Sequence, residues 1–245
     1  MQLIPLKSIA LLALGGLSLT AQPAGPKLDD VIQKSLAAQG GLDKINTLKI
    51  TGKIIMGGGQ LEIPLVSYCK RPNKTRNELS LQGQKIVEAF DGTVRWTLNT
   101  LQGSRDPQRL NEEADEANLL ENPLRNYKEN KAELAGKEDV DGASVFKIKF
   151  TLKNGTVQTI YVDETSFLIV KSKTKRPGQD FETEIILSDY KAVEKVMIPF
   201  SSIKKINTPA GMQVQFEKVE ANVPLEDAMF TMPEIIRKPE LPKVQ

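Results

Sequence analysis

Phe146-Lys147-Ile148-Lys149-Phe150-Thr151-Leu152, with Asn154-Gly155 close behind and Val157–Asp163 after it, sets the fold class of this chain. Apolar and polar residues alternate with period two. A strand with that spacing turns one row of side chains to a core and the other to water. Asn-Gly supplies the left-handed backbone that a tight hairpin needs. The passage predicts an antiparallel hairpin with one apolar face.

The same pattern recurs outward from this point. Ile50, Ile54 and Met56 alternate with Thr51 and Lys53, and Leu61, Ile63 and Leu65 with Glu62 and Pro64. Leu79 and Leu81 alternate with Glu78 and Ser80, and Val94, Trp96 and Leu98 with Arg95 and Thr97. Asp91-Gly92 reads as a hairpin turn and Gly57-Gly58-Gly59 as another turn. Further strands are expected from about Ala132, around Leu168–Lys173, Glu182–Tyr190 and Pro199–Ile206, and at Met212–Val219 after Pro209-Ala210-Gly211. Tight turns between them make the strands antiparallel. The sum is a mainly β chain with a few helices: one curved antiparallel sheet, or incomplete β-barrel, capped by helices.

Two segments change to helical period. Leu28, Val31, Ile32 and Leu36 share a face in Lys27–Gln39, with Pro26 before and Gly40-Gly41 after. In mid-chain, Asp106-Pro107 resembles an N-cap and first-turn proline, and Leu110, Ala114, Ala117 and Leu124 share a face. Glu112, Glu113, Asp115 and Glu116 crowd the first turns, where the helix dipole favours acids, and Pro123 breaks the helix.

The N-terminus reads as a secretory leader. Lys7 gives the positive start, Ser8–Thr20 the apolar run, and Ala21 a small residue at the cleavage point, followed by Gln22-Pro23. The run is shorter than the roughly 20 apolar residues that span a bilayer. The expected organisation is a leader over 1–21, one domain over 22–233 and a loose tail over 234–245, exported to the periplasm.

Composition narrows the chemistry. The 245 residues include no histidine and one cysteine, Cys69. That removes the Ser-His and Cys-His nucleophile pairs and the usual zinc sets. No Gly-x-Ser-x-Gly elbow is present. No catalytic residues, no metal and no cofactor are expected, and the chain reads as a non-enzyme. Lys and Arg number 33 against 31 Asp and Glu, well mixed, which argues against nucleic acid as partner. A sheet with one apolar face must cover it, and few short helices leave room for an apolar cavity. A fully packed core gives the same alternation.

Lys70-Arg71-Pro72-Asn73, then Asp91-Gly92-Thr93-Val94-Arg95-Trp96, and the closing Phe230-Thr231-Met232-Pro233, resemble the outer-membrane lipoprotein-sorting carriers, the LolA/LolB-like family. The order of elements resembles that family too. The resemblance implies an incomplete barrel closed by helices, which shelters the acyl chains of a lipoprotein or lipid on the way to the outer membrane, as a transport chaperone. It implies a donor protein at the inner membrane and an acceptor at the outer membrane; a monomer is expected. Arg71 matches the family arginine that bonds to the helical lid and latches it. Thr75 stands where the family carries an aromatic residue. The expected lipid-binding cavity is lined by Ile50, Ile54, Leu65, Leu79, Leu81, Trp96, Phe146, Ile148 and Phe150, for each of which ordinary core packing is the alternative. Lys147 and Lys149 read as solvated outer-face residues. The runner-up function is an RseB-like periplasmic sensor of lipid or lipoprotein that regulates an inner-membrane partner.

Overall fold

The computed structural model describes residues 26–104, 106–110, 120, 122–207 and 211–234. The leader over 1–21, the run Glu112, Glu113, Ala114, Asp115, Glu116 and Ala117, and the tail beyond Glu234 lie outside the described residues.

Thirteen strands form one antiparallel sheet. They are β1 (Thr47–Met56), β2 (Leu61–Lys70), β3 (Lys74–Leu81), β4 (Gln84–Phe90), β5 (Arg95–Asn99), β6 (Gln108–Leu110), β7 (Lys131–Val140), β8 (Ala143–Thr151), β9 (Val157–Asp163), β10 (Ile169–Lys175), β11 (Glu182–Val193), β12 (Val196–Ile206) and β13 (Met212–Ala221). The spatial order is β6-β5-β4-β3-β2-β1-β13-β12-β11-β10-β9-β8-β7. Two meanders therefore meet at a single seam, where β1 pairs with β13 from Leu48↔Ala221 to Ile55↔Gln213. The edges β6 and β7 stay apart, so the barrel is incomplete, as the sequence predicts.

The turns follow local chemistry. Asp91 accepts the Thr93 and Val94 amides between β4 and β5, and Asn154 accepts the Thr156 amide between β8 and β9. Helix α1 (Leu28–Gln39) matches its expected bounds. It lays Val31 and Ile32 on Phe146, Ile148 and Phe150 of β8 and Ile160 and Val162 of β9, with Leu28 and Leu36 at the margin. Each of the fully buried side chains here contributes about 1.5–3 kcal/mol. Gly40 ends the helix because the Glu194-Lys195 turn presses on it. A Cβ there would stand 2.4 Å from the Lys195 carbonyl oxygen.

Asp106-Pro107 does not open a helix. Gln108–Leu110 instead adds β6, with Leu110 opposite Arg95 and Gln108 opposite Thr97. The free edge of β5 offers ladder hydrogen bonds, and these win over local capping; a proline is tolerated beside such an edge.

β13 runs into a strap that crosses the outer face of β1–β5. Thr47 donates to the Val223 carbonyl, Lys70 to that of Leu225, Arg76 to that of Met229 and the Trp96 indole to that of Phe230. Phe230 is fully buried, and Met232 packs on Val87, Ala89 and Trp96. Asp227 sits 2.7 Å from Lys70 and 2.9 Å from Lys74. Hydrogen bonds from these two lysines hold its carboxyl down to about 2.

Phe230→Ala is expected to cost about 3–5 kcal/mol in urea unfolding, with a transition that stays cooperative. Asp227 is unperturbed near pH 4 when unfolded and titrates near 2 when folded. Its contribution is therefore present above about pH 4 and is lost as pH falls towards 2. Asp227→Asn should flatten that part of a stability–pH curve; an unchanged curve would contradict the strap contact.

Candidate functional site: the inner face of the sheet

Paired residues on neighbouring antiparallel strands point to the same side. Following the pairs across the sheet sorts every side chain by face. The row Leu48–Cys69–Thr75–Phe90–Arg95–Leu110 belongs to the inner face, the side that carries α1. So do the row Ile50–Ser67–Asn77–Glu88–Thr97–Gln108 and the row Gly52–Leu65–Leu79–Ile86–Asn99. On the other side of the seam, Ile54 continues through Val214 and Ser202 to Leu187.

This face is covered unevenly. Under α1 lie Phe146, Ile148 and Phe150, closed off with Leu124 and Tyr127. In the centre, Ile50 and Leu48 pack with Leu42, Ile45, Leu120 and Phe200. Among the described residues no core cluster on this face extends beyond them. Leu79, Leu81, Ile63, Ile86 and Phe90 are only half-buried, with Ile54 and Leu65 as a buried floor. β1–β5 make this open stretch about 19 Å wide at the usual strand spacing.

The nine residues expected to line one cavity thus fall in three places. Ile50, Phe146, Ile148 and Phe150 are in packed core clusters. Ile54, Leu65, Leu79 and Leu81 share the open stretch. Trp96 is on the opposite face: it pairs with Ala89 and lies under the C-terminal strap. Its alternation with Arg95 and Thr97 was read correctly, but alternation alone does not say which side is inner. Ile63 and Ile86 join the stretch only through the cross-strand pairing.

Arg71 stands at the edge of the packed centre, in the turn between β2 and β3. Its Nε donates to the Ile45 carbonyl at 2.8 Å, and one Nη donates to the Leu42 and Leu120 carbonyls at 2.9 and 2.8 Å. Its backbone N–H bonds to Asn46. The planar guanidinium thus ties the 3-10 turn Leu42–Lys44 to Leu120, two segments far apart in sequence. Leu120 is itself buried in the central cluster.

A small polar niche lies where α1 meets β10 and β11, lined by Ser35, Gln39, Asn122, Leu168, Ile169 and Tyr190. Asn122 donates to Gln39 and Tyr190 to the Ile169 carbonyl. Burial pushes the Tyr190 hydroxyl well above its ordinary range. These polar groups are mutually satisfied, and the niche is of water size rather than lipid size.

The outer face of the second meander is charged. The Lys147 and Lys171 ammonium groups lie over the Tyr161 ring. Glu184 meets Lys171, Lys173 and Lys205 within 3.5–3.6 Å. Burial would raise its carboxyl, and the three lysines outweigh that and lower it. Lys147 and Lys149 pair with Glu138 and Glu133 in partly exposed contacts. Among the described residues no group of three His, Cys, Asp or Glu is placed to hold a metal, and no helix is long and apolar enough to cross a membrane.

By sequence, the chain matches no family model and no curated protein. By structure, it shares the LolA-like fold. A candidate outer membrane lipoprotein-sorting protein domain from Vibrio parahaemolyticus superposes with a TM-score of 0.58 at 10% identity, covering 82% of this chain and 94% of that one. A LolA superfamily protein from Nitrosomonas europaea gives 0.55 at 12% identity, covering 83% and 96%. A DUF1329 family protein from Desulfovibrio piger gives 0.59 at 14% identity, covering 83% and 96%.

Arg71→Leu should strand three carbonyls and cost about 3 kcal/mol. Hydrogen exchange is the sharper readout. Amides of Leu42–Asn46 should exchange faster than in the native chain, while those of β8 and β9 stay protected. Uniform change across the sheet would contradict a local tie.

Proposed function

We propose that this LolA-like sheet is a periplasmic carrier that holds acyl chains of a lipid or lipoprotein against the open stretch of its inner face. One observation carries the reading. Leu79, Leu81, Ile63 and Ile86 lie half-buried side by side on a face whose other regions are packed under α1 and the 3-10 turn. A contiguous apolar surface of this kind in water marks a binding site.

The physics of carriage fits the geometry. Each methylene moved from water to apolar surroundings contributes about 0.8 kcal/mol. An extended strip of leucine, isoleucine and phenylalanine gains by chain length and is indifferent to headgroup detail. Release needs a cover held by contacts that can be broken without an energy source. Arg71 supplies three such hydrogen bonds between the Leu42–Lys44 turn and Leu120, and its role in this reading is the latch. The fold shared with lipoprotein-sorting domains and the secretory leader read over 1–21 support a place in the periplasm, between an inner-membrane donor and an outer-membrane acceptor. No step of this function calls for a nucleophile, a metal or a cofactor.

The test is native mass spectrometry of the full chain purified from a periplasmic extract. Adducts matching acyl lipids or a lipoprotein are expected. In parallel, Leu79→Asp should weaken binding of a fluorescent fatty-acyl probe by roughly tenfold or more, the scale set by losing a few buried methylenes. Its melting temperature should fall less than for a core substitution, because Leu79 belongs to none of the packed core clusters. An empty native chain with no probe affinity would end the proposal. For the latch, Arg71→Leu should speed transfer of bound probe to acceptor vesicles; unchanged transfer kinetics would remove that role.

A further inference from the structure

Arg95 is the anomaly of the inner face. It pairs with Phe90 of β4 and Leu110 of β6, so its side chain rises on the same side as Leu79 and Ile86. Its Nε is buried and has no hydrogen-bond partner. Among the described residues its guanidinium enters no ion pair and no hydrogen bond. Glu88 occupies the diagonal position on β4, and no ion pair joins the two.

A guanidinium is never neutral in a protein, and a buried unpaired donor on it is costly. Such groups are retained where something completes them. The other arginines whose side chains bridge segments are completed: Arg71 by three carbonyls, Arg76 by Glu78 and the Met229 carbonyl. Arg95 is different in its setting as well. The adjacent inner-face row is polar (Ser67, Asn77, Glu88, Thr97 and Gln108), and the row after that is apolar (Leu65, Leu79 and Ile86). Two residues along a strand cover about 6.7 Å, so Arg95 lies roughly 13 Å from the apolar row. Charge, then polar groups, then hydrocarbon is the order of an amphiphile with an acidic head.

We infer that Arg95 binds the anionic end, a phosphate or carboxylate, of an acyl lipid whose chain lies along Leu79 and Ile86. The inference rests on the carrier reading and deepens it by naming the ligand class. Arginine suits the task because its fork meets two oxygens of such a group at once. The polar row between then solvates the linkage that joins head to chain. The acyl strip sets how tightly any chain binds, and Arg95 sets which head is preferred.

The experiment is calorimetric titration of the full chain, below micelle concentration, with dodecyl phosphate, with monolaurin as the neutral lipid of the same chain length, and with inorganic phosphate alone. The readout is the ratio of the two lipid affinities. Dodecyl phosphate should be favoured by about tenfold, the size of one charge-assisted contact. Arg95→Gln should bring the ratio close to one, and Arg95→Lys should restore part of it. Circular dichroism melting confirms that each variant folds. Equal affinities in the native chain, or a ratio that survives Arg95→Gln, would overturn the headgroup assignment and leave acyl binding standing. Binding of neither lipid would overturn the carrier reading and this inference with it. Inorganic phosphate binding as tightly as dodecyl phosphate, and depending on Arg95, would make the site one for a free anion and overturn the lipid assignment.

Discussion

A thirteen-stranded sheet has two long faces, and this chain has one described α-helix with which to cover them. Apolar surface left in water costs about 25 cal/mol per Å², so the covering of these faces dominates the architecture. Helix α1 serves chiefly the β8–β9 region. The Leu42–Lys44 turn and Leu120 serve the seam. The outer face of β4 and β5 is served from the C-terminal side, by Phe230 and Met232. The inner face of β2–β5 receives no comparable cover among the described residues. The site is the remainder of this division.

Polar contacts hold the covers, and one kind recurs. Lys70, Arg76 and Trp96 on the sheet, and Arg71 in the turn after β2, all donate from side chains to backbone carbonyls of the segments that cross it. Carbonyls of irregular segments need such partners once buried. Contacts to backbone carbonyls fix the path of each segment whatever side chain stands at that carbonyl. Arg95 faces inward on the same sheet and meets no carbonyl among the described residues, which is why it stands apart from the others.

Much of this was legible in the sequence and some was not. Period-two alternation at Phe146–Leu152 and the Asn154-Gly155 and Asp91-Gly92 turns placed the strands, because a half-buried strand has no other way to sort its side chains. Leu28, Val31, Ile32 and Leu36 placed α1. Asp106-Pro107 misled, since a cap is a local signal and β6 is a tertiary pairing. Trp96 lies apart from the other expected lining residues for a related reason. Each strand reveals two rows but not which is inner, and only the pairing of β4 with β5 puts Trp96 beneath the strap. The Glu194-Lys195 turn carried no glycine signal; both residues have positive φ and are held against Gly40, a contact between distant segments.

The seam between β1 and β13 has a bearing on how the molecule is made. Within each meander, strands pair with their neighbours in the chain, through short turns. Leu48 and Ala221 meet only after nearly all the domain exists. Such remote pairing carries a large loop-closure cost and slows acquisition of the native state. Until β13 arrives, β1 offers a bare edge of unpaired amides, the feature that invites association between chains. A chain arranged this way stays unfolded or half-assembled longer than a locally wound one. That delay makes protection of the nascent edge a requirement of its biogenesis.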